Sequence, residues 1–177
     1  MMEFQFGAPF PFDRLDSFRA ATAVDRTGKL RLFADPAFRV AVKRELADGA
    51  ATQPHIWALV MSLRELEVST CAEQPELEGR MVPEISNERS VDPLDLILDL
   101  AISSDLEDRF RIPLANTNQA AIASLLSEPF TVLGLSDAGA HASQLCDACF
   151  ATDLLGRWVR DKGVLTLEQA IDHLCAR

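Results

Sequence analysis

Positive charge is scarce in this sequence and is nowhere concentrated. The 177 residues include 17 lysines and arginines against 27 aspartates and glutamates, which gives a formal net charge of −10. Nucleic acids and anionic membrane surfaces are bound by clustered lysine and arginine side chains. The chain has no basic patch of that kind, so we expect neither kind of partner.

Long apolar runs are also missing. No stretch approaches the roughly 20 consecutive apolar residues that a transmembrane helix needs. Residues 1–12 include the acidic Glu3 and have no basic region ahead of their apolar side chains, unlike a secretory signal peptide. These features predict a cytoplasmic protein that neither crosses nor binds a membrane.

The cysteines do not form the ligand pairs of a structural metal centre. Cys146 and Cys149 make a C-x-x-C, but Cys71 and Cys175 stand alone, and a structural zinc site needs a second pair at suitable spacing. A redox role for the C-x-x-C is an alternative. In a reducing compartment, cysteines more often act as small buried hydrophobic residues.

Apolar spacing and capping residues predict alternating helices and strands after an irregular start. Residues 1–16, with several Phe, Gly and Pro, predict no long helix and aromatic side chains that another surface must cover. Thr166 and Gln169 form a T-x-x-Q capping box, and Gly163 ends the helix before it. We predict helices at about 35–47, 81–89, 92–103, 116–127 and 146–161 and after Thr166, and strands at 56–63, 109–114 and 131–135.

Residues 131–141 (TVLGLSDAGAH) carry the strongest functional pattern. The uncharged run 131–135 begins with two β-branched residues, which is typical of a strand that is buried on both faces. Asp137 follows it, where a catalytic or metal-binding acid lies in a (β/α)8 barrel. An aspartate after a strand is also a common N-cap or turn residue, so the pattern by itself leaves both interpretations open.

A resemblance to a known family favours the catalytic interpretation. GLSDAGAH at 134–141, followed by LCDA at 145–148 and GRWVR at 156–160, resembles the last barrel strand and following helix of the N-acyl-D-amino-acid deacylase (D-aminoacylase) branch of the amidohydrolase superfamily. Further motifs of that family recur in the same order: LEGR at 77–80, DPLD at 92–95, FRIP at 110–113 and LL at 125–126. The resemblance covers most of the chain beyond about residue 55.

The resemblance implies zinc-dependent hydrolysis of the amide C–N bond in N-acyl-D-amino acids. In that family an H-x-H, a bridging residue and further histidines hold the metal, and a final aspartate contacts the attacking hydroxide. Asp137 corresponds to that aspartate, as a metal contact and as the catalytic group that takes a proton from water and passes it to the leaving amine. The other ligands have no counterpart here, so we expect no zinc to bind to this chain alone.

His141 lies four residues beyond Asp137 and is included in the resemblance. We interpret it as a substrate-binding residue, which either orients Asp137 or contacts a substrate carboxylate. A loop histidine bonded to a backbone carbonyl is the alternative.

Other polar residues have weaker patterns. His55 is interpreted as a surface residue, and His173 as a cation near a helix C-terminus or an interface residue. Arg109 and Arg111 could bind a substrate carboxylate, although strand arginines more commonly pair with surface acids. Ser136 lacks a Gly-x-Ser-x-Gly context, so serine hydrolase chemistry is not expected. The acidic side chains between 65 and 78 predict a solvated loop: Glu65, Glu67, Glu73, Glu76 and Glu78.

Alternating strands and helices predict a parallel α/β sheet. Because an eight-stranded barrel needs at least about 200 residues, we expect a partial (β/α)8 barrel made of C-terminal strands and helices. Residues 1–177 are then one fragment, with an irregular and helical lead-in over 1–54 and βα units over 55–177.

Two functions remain open from the sequence. The first is the C-terminal portion of a metal-dependent amidohydrolase, inactive alone, that needs a missing N-terminal half. The second is a non-catalytic α/β module for binding or oligomerisation. A barrel without its first strands would expose a strand edge, so we also expect self-association or poor solubility.

Overall fold

The chain folds into two units, residues 2–114 and residues 115–177, which we call the sheet unit and the helical unit. The computed structural model describes residues 2–8, 12–52, 63–113, 116–134 and 147–175. Within these residues, no helix combines the length and apolar character that crossing a membrane requires.

A small antiparallel sheet organises the sheet unit. Its strands are β1 (Met2–Gln5), β2 (Glu67–Thr70) and β3 (Arg109–Ile112), in the order β1-β3-β2. Both pairings are antiparallel, and Phe4 of β1 lies opposite Phe110 of β3. β3 confirms the strand that was predicted at 109–114.

The prediction of a parallel sheet from a partial (β/α)8 barrel is therefore wrong. The described residues are mainly helical, and their strands pair only antiparallel. β1 buries Met2 and Phe4 while Glu3 and Gln5 stay partly exposed. One buried and one solvated face is the pattern of an antiparallel sheet, because strands of a parallel sheet are covered on both faces.

In the described part of this unit, the sheet is accompanied by the helices α1 (Asp16–Thr22), α2 (Arg26–Ala34), α3 (Pro36–Thr52), α4 (Val82–Arg89) and α5 (Pro93–Ser103). α5 confirms the helix predicted from Asp92-Pro93, because the Asp92 side chain accepts a hydrogen bond from the Leu94 amide at 2.9 Å. α3 begins where it was predicted and runs further.

Phenylalanine rings fill the core between the sheet and the helices. Phe6 is fully buried, and its ring centroid lies 5.5 Å from that of Phe12 and 6.0 Å from that of Phe18. We call the full set the phenylalanine cluster: Phe4, Phe6, Phe12, Phe18, Phe33, Phe38 and Phe110. The aromatic residues near the chain start were expected to need a missing neighbour, but within the described residues this chain itself covers them.

The helical unit contains α6 (Gln119–Ser127), α7 (Phe150–Asp153), a π-helix (Leu154–Asp161) that continues α7, and α8 (Leu167–Cys175). Its buried core consists of Leu126, Leu154, Trp158, Leu165 and Ala170. The predicted capping box of α8 is confirmed. The Thr166 amide donates to Gln169 Oε1 at 2.8 Å, and the Gln169 amide donates to Thr166 Oγ1 at 3.2 Å.

The predicted buried strand at 131–135 is wrong over its described part. Residues 131–134 have no regular secondary structure, and the Val132 side chain is 57% exposed. The Thr131 amide donates to the Glu128 carbonyl at 3.2 Å, which forms a turn directly after α6. The strand predicted at 56–63 lies outside the described residues except for Leu63, which has a left-handed φ of 53°.

Candidate functional site

The two site residues that the resemblance implies, Asp137 and His141, lie outside the described part of the structure. The same holds for His55, Ser136 and Cys146. Their roles stay predictions.

Arg109 and Arg111 project from the central strand towards acidic residues of the two neighbouring strands. Arg109 Nη1 lies 3.1 Å from Glu3 Oε2 on β1, and the Arg111 guanidinium bonds to Glu67 on β2. The structure thus supports pairing with surface acids for both arginines, which is the commoner role of strand arginines.

His173 lies in the core of the helical unit, with 5% of its surface exposed. Its Nε2 is 3.0 Å from the Leu126 carbonyl oxygen. A carbonyl only accepts, so Nε2 is the protonated nitrogen. Nδ1 is buried and has no partner among the described residues. His173 therefore ties α8 to the C-terminal end of α6.

The most unusual chemical environment in the described residues lies at one end of the sheet. Cys71 follows β2 and Asp108 precedes β3, and the antiparallel pairing brings these ends side by side. Cys71 Sγ lies 3.3 Å from Asp108 Oδ2, and the two residues are 0% and 1% exposed. The thiol donates and the carboxyl oxygen accepts. Asp108 Oδ1 is buried without a hydrogen-bond partner among the described residues.

The backbone between α5 and β3 is strained. Asp105 and Leu106 both have left-handed conformations, with φ values of 54° and 67°. Aspartate tolerates this region, whereas leucine rarely adopts it. Leu106 is held by its buried side chain and by an amide hydrogen bond of 2.6 Å to the Ala101 carbonyl. Arg26 of α2 secures the turn from outside, because its guanidinium pairs with Asp105 at 2.9 Å and with Glu107 at 2.7 Å.

Burial disfavours ionisation of both the Asp108 carboxyl and the Cys71 thiol. It raises the pKa of Asp108 above its ordinary 3.8, and the negative charge of Glu73 acts in the same direction. Interactions with the Cys71 thiol, the Ser104 hydroxyl and the Ala72 amide lower this pKa by less. Burial also raises the pKa of the Cys71 thiol to about 11. Since the thiolate is the reactive form, Cys71 is an inert thiol in this conformation.

We call Cys71 together with the turn 104–108 the Cys71–Asp108 edge. The Cys71 amide also donates to Glu78 Oε1 at 2.9 Å, so Glu78, which is exposed as the sequence predicted, also anchors this edge. Within the described ranges, no group of three or more His, Cys, Asp or Glu side chains is arranged to hold a metal ion. The described residues therefore do not fit the zinc centre that the resemblance implies.

Asp108 was not singled out by the sequence, because an isolated aspartate before a strand is ordinarily a turn residue. Only the pairing of β2 with β3 brings it to Cys71. The expectation that cysteines are buried is confirmed for Cys71 and is wrong for Cys149 and Cys175, which are exposed.

Comparisons with known proteins give relatives of no stated function. No family model matches the chain, and no solved structure matches it. An uncharacterized protein of Mycobacterium bovis and uncharacterized proteins of two strains of Mycobacterium tuberculosis are 29% identical to it over a 171-residue alignment that covers 90% of this chain. The chain spans 27% of the length of these curated relatives.

Proposed function

We propose that this chain is part of a longer metal-dependent hydrolase that cleaves the amide C–N bond of N-acyl-D-amino acids in the cytoplasm. The observation that carries the proposal is the ordered recurrence of deacylase motifs along the chain, which ends in GLSDAGAH at 134–141 with Asp137. The relatives support the proposal that the chain belongs to a longer protein, because the chain matches 27% of their length.

Within this proposal, Asp137 is the general base and acid. It takes a proton from the attacking water and returns it to the leaving amine. His141 orients Asp137 or binds the carboxylate of the amino acid. The zinc ligands of the enzyme would come from the rest of the longer protein, because the described residues do not fit a metal centre.

The test is a hybrid that restores the missing ligands. This chain is joined to the N-terminal half of an N-acyl-D-amino-acid deacylase that carries the H-x-H and the bridging ligand, and hydrolysis of N-acetyl-D-amino acids is measured with zinc. In the active hybrid, Asp137→Asn keeps the shape of the side chain and removes the base. We expect kcat to fall by at least about 100-fold, the usual effect of losing a general acid–base group.

Asp92→Asn is the matched control, because Asp92 caps α5 and asparagine caps a helix as well as aspartate does. We expect this variant to retain the activity of the hybrid. Circular dichroism shows whether each variant is folded. A folded hybrid that cleaves no N-acyl-D-amino acid would refute the proposed activity, and full turnover in Asp137→Asn would refute the catalytic role of Asp137.

A non-catalytic interaction role is the second candidate. It is favoured by the apolar side chains that the helical unit exposes, since Phe130 is 95% exposed and Leu125 is 56% exposed. Such residues commonly mark a surface that binds another protein surface. A folded but inactive hybrid would favour this second function.

A further inference from the structure

We propose that the Cys71–Asp108 edge is a pH-sensitive latch, which is closed while Asp108 is neutral and opens locally as Asp108 ionises. The inference rests on the geometry of the sheet unit and is independent of the proposed hydrolase activity. Opening would separate the residues that follow β2 from the turn that precedes β3 and would bring the Cys71 thiol into solvent.

The described part of the closed edge offers no cation to compensate a negative charge on Asp108. Oδ2 lies 3.3 Å from the weak thiol donor of Cys71, and Oδ1 is buried without a hydrogen-bond partner among the described residues. The Ser104 hydroxyl and the Ala72 amide offset the burial only in part. A buried carboxylate that lacks a cation is strongly disfavoured relative to a hydrated one. Burial accordingly raises the pKa of Asp108. Ionisation of Asp108 therefore favours any conformation that lets water reach it.

The charges around the edge reinforce this preference. The titratable and charged groups around it include Cys71, Glu73, Glu76 and Glu78 after β2, Asp105 and Glu107 in the turn, Arg109 next to Asp108 on β3, Arg26 on α2 and Arg89 on α4. The three arginines are engaged elsewhere, since Arg26 pairs with the turn acids, Arg109 pairs with Glu3, and Arg89 bonds to Gln74. Among the described residues, no ion pair neutralises Asp108, and Glu73 adds negative charge.

Backbone strain favours local opening at this edge. Asp105 and Leu106 are consecutive left-handed residues, and such conformations persist only while the surroundings enforce them. A local opening would release this strain and hydrate the carboxylate of Asp108 in one event. The phenylalanine cluster can stay packed meanwhile, because local openings require less free energy than global unfolding.

Cys71 is a built-in reporter of the latch. The full chain is treated with a pyridyl disulfide, which reacts with thiols even in acid, and labelling of each cysteine is followed by peptide mass spectrometry over a range of pH. Cys175, which is exposed, corrects for the intrinsic pH dependence of thiol reactivity. We expect the ratio of Cys71 to Cys175 labelling to rise up to about tenfold per pH unit above pH 3.8, and to level off once Asp108 is ionised in the closed state.

Asp108→Asn removes the ionisation and should leave the labelling ratio flat, at the value that the wild type has in acid. Asp16→Asn is the matched control, because Asp16 lies on α1 outside the edge and its side chain is 78% exposed, and it should keep the wild-type profile. A wild-type ratio that does not change with pH would overturn the proposal, even if Asp108→Asn failed to fold. An Asp108→Asn variant with the wild-type profile would overturn it as well.

Discussion

At the scale of single residues, the unusual environments are those of polar side chains that are buried without a full set of hydrogen-bond partners. Asp108 and His173 are both buried, and each has one polar atom without a hydrogen-bond partner among the described residues. The two differ in the bond they do make, because His173 donates to a backbone carbonyl whereas Asp108 meets a thiol. Asp108 is therefore a buried acid of the sheet unit whose charge has no cationic partner among the described residues.

The effect of Asp108 on global stability has a definite sign. Because burial raises the pKa of Asp108 in the folded state, the folded chain holds this proton at pH values where the unfolded chain has lost it. The contribution to stability is therefore complete below pH 3.8 and is lost as the pH rises through the folded-state value.

We predict that Asp108→Asn raises the free energy of unfolding at neutral pH, since it nearly preserves the shape and removes a carboxyl group whose ionisation burial disfavours. The advantage over the wild type should disappear below pH 3.8, the ordinary pKa of the group. Urea unfolding at several pH values measures both effects. A variant that loses the same stability at every pH would show that Asp108 acts through its hydrogen bond to Cys71 and not through its charge.

At the scale of helices and strands, local signals determine the helices better than the strands. Capping residues begin α5 and α8 as predicted, whereas α6, which was predicted from about residue 116, begins at Gln119 after its cap Asn118. The outer edge of β2 is partly covered, because the Val68 amide donates to the Arg80 carbonyl at 3.0 Å. The open barrel edge from which self-association was expected is thus not found on β2, and self-association stays a prediction.

The capping box of α8 can be tested by two substitutions at one position. Thr166→Ala removes the hydroxyl that accepts from the Gln169 amide, and we expect it to reduce the stability of the helical unit by about 0.5–2 kcal/mol. Thr166→Ser keeps the hydroxyl and should change stability little. Thermal unfolding of the two variants checks this. Equal losses of stability in the two variants would mean that the methyl group of Thr166, and not its hydroxyl, stabilises the helical unit.

At the scale of the whole molecule, most of the large buried side chains among the described residues lie in the sheet unit. The phenylalanine cluster joins residues from β1, β3 and three helices, α1, α2 and α3. The helical unit has a smaller core around Trp158 and exposes more of its large apolar residues, Phe130 above all. The stability of the sheet unit therefore depends on contacts between residues that are far apart in the sequence.

We predict that Phe6→Ala destabilises the sheet unit by about 3–5 kcal/mol, because Phe6 is fully buried and the truncation leaves a cavity. Val40→Ala in the same unit, at a side chain that is 58% exposed, should stay within about 0.5 kcal/mol of the wild type. Urea unfolding monitored by circular dichroism distinguishes them. A small loss for Phe6→Ala would contradict a core built on this cluster.

The sequence by itself determined the elements whose signals are local. Asp92 before Pro93 and the pair Thr166 and Gln169 mark helix starts through bonds to amides within a few residues, so neighbours in the chain are enough to predict them. Apolar spacing likewise predicted β3. The motif around Asp137 is equally local, but it indicates a chemistry and not a conformation, and the described residues do not test it.

Only the tertiary structure decided how these elements combine. Strand direction depends on which segments pair, and β1 and β2 both pair with β3 although 103 residues lie between β1 and β3 and 38 between β2 and β3. The apolar run at 131–134 forms no strand, because β-branched residues favour extended structure only where a partner strand and a buried surface are present. Asp108 meets Cys71 for the same reason, since a hydrogen-bonded ladder, and not proximity in the chain, brings them together.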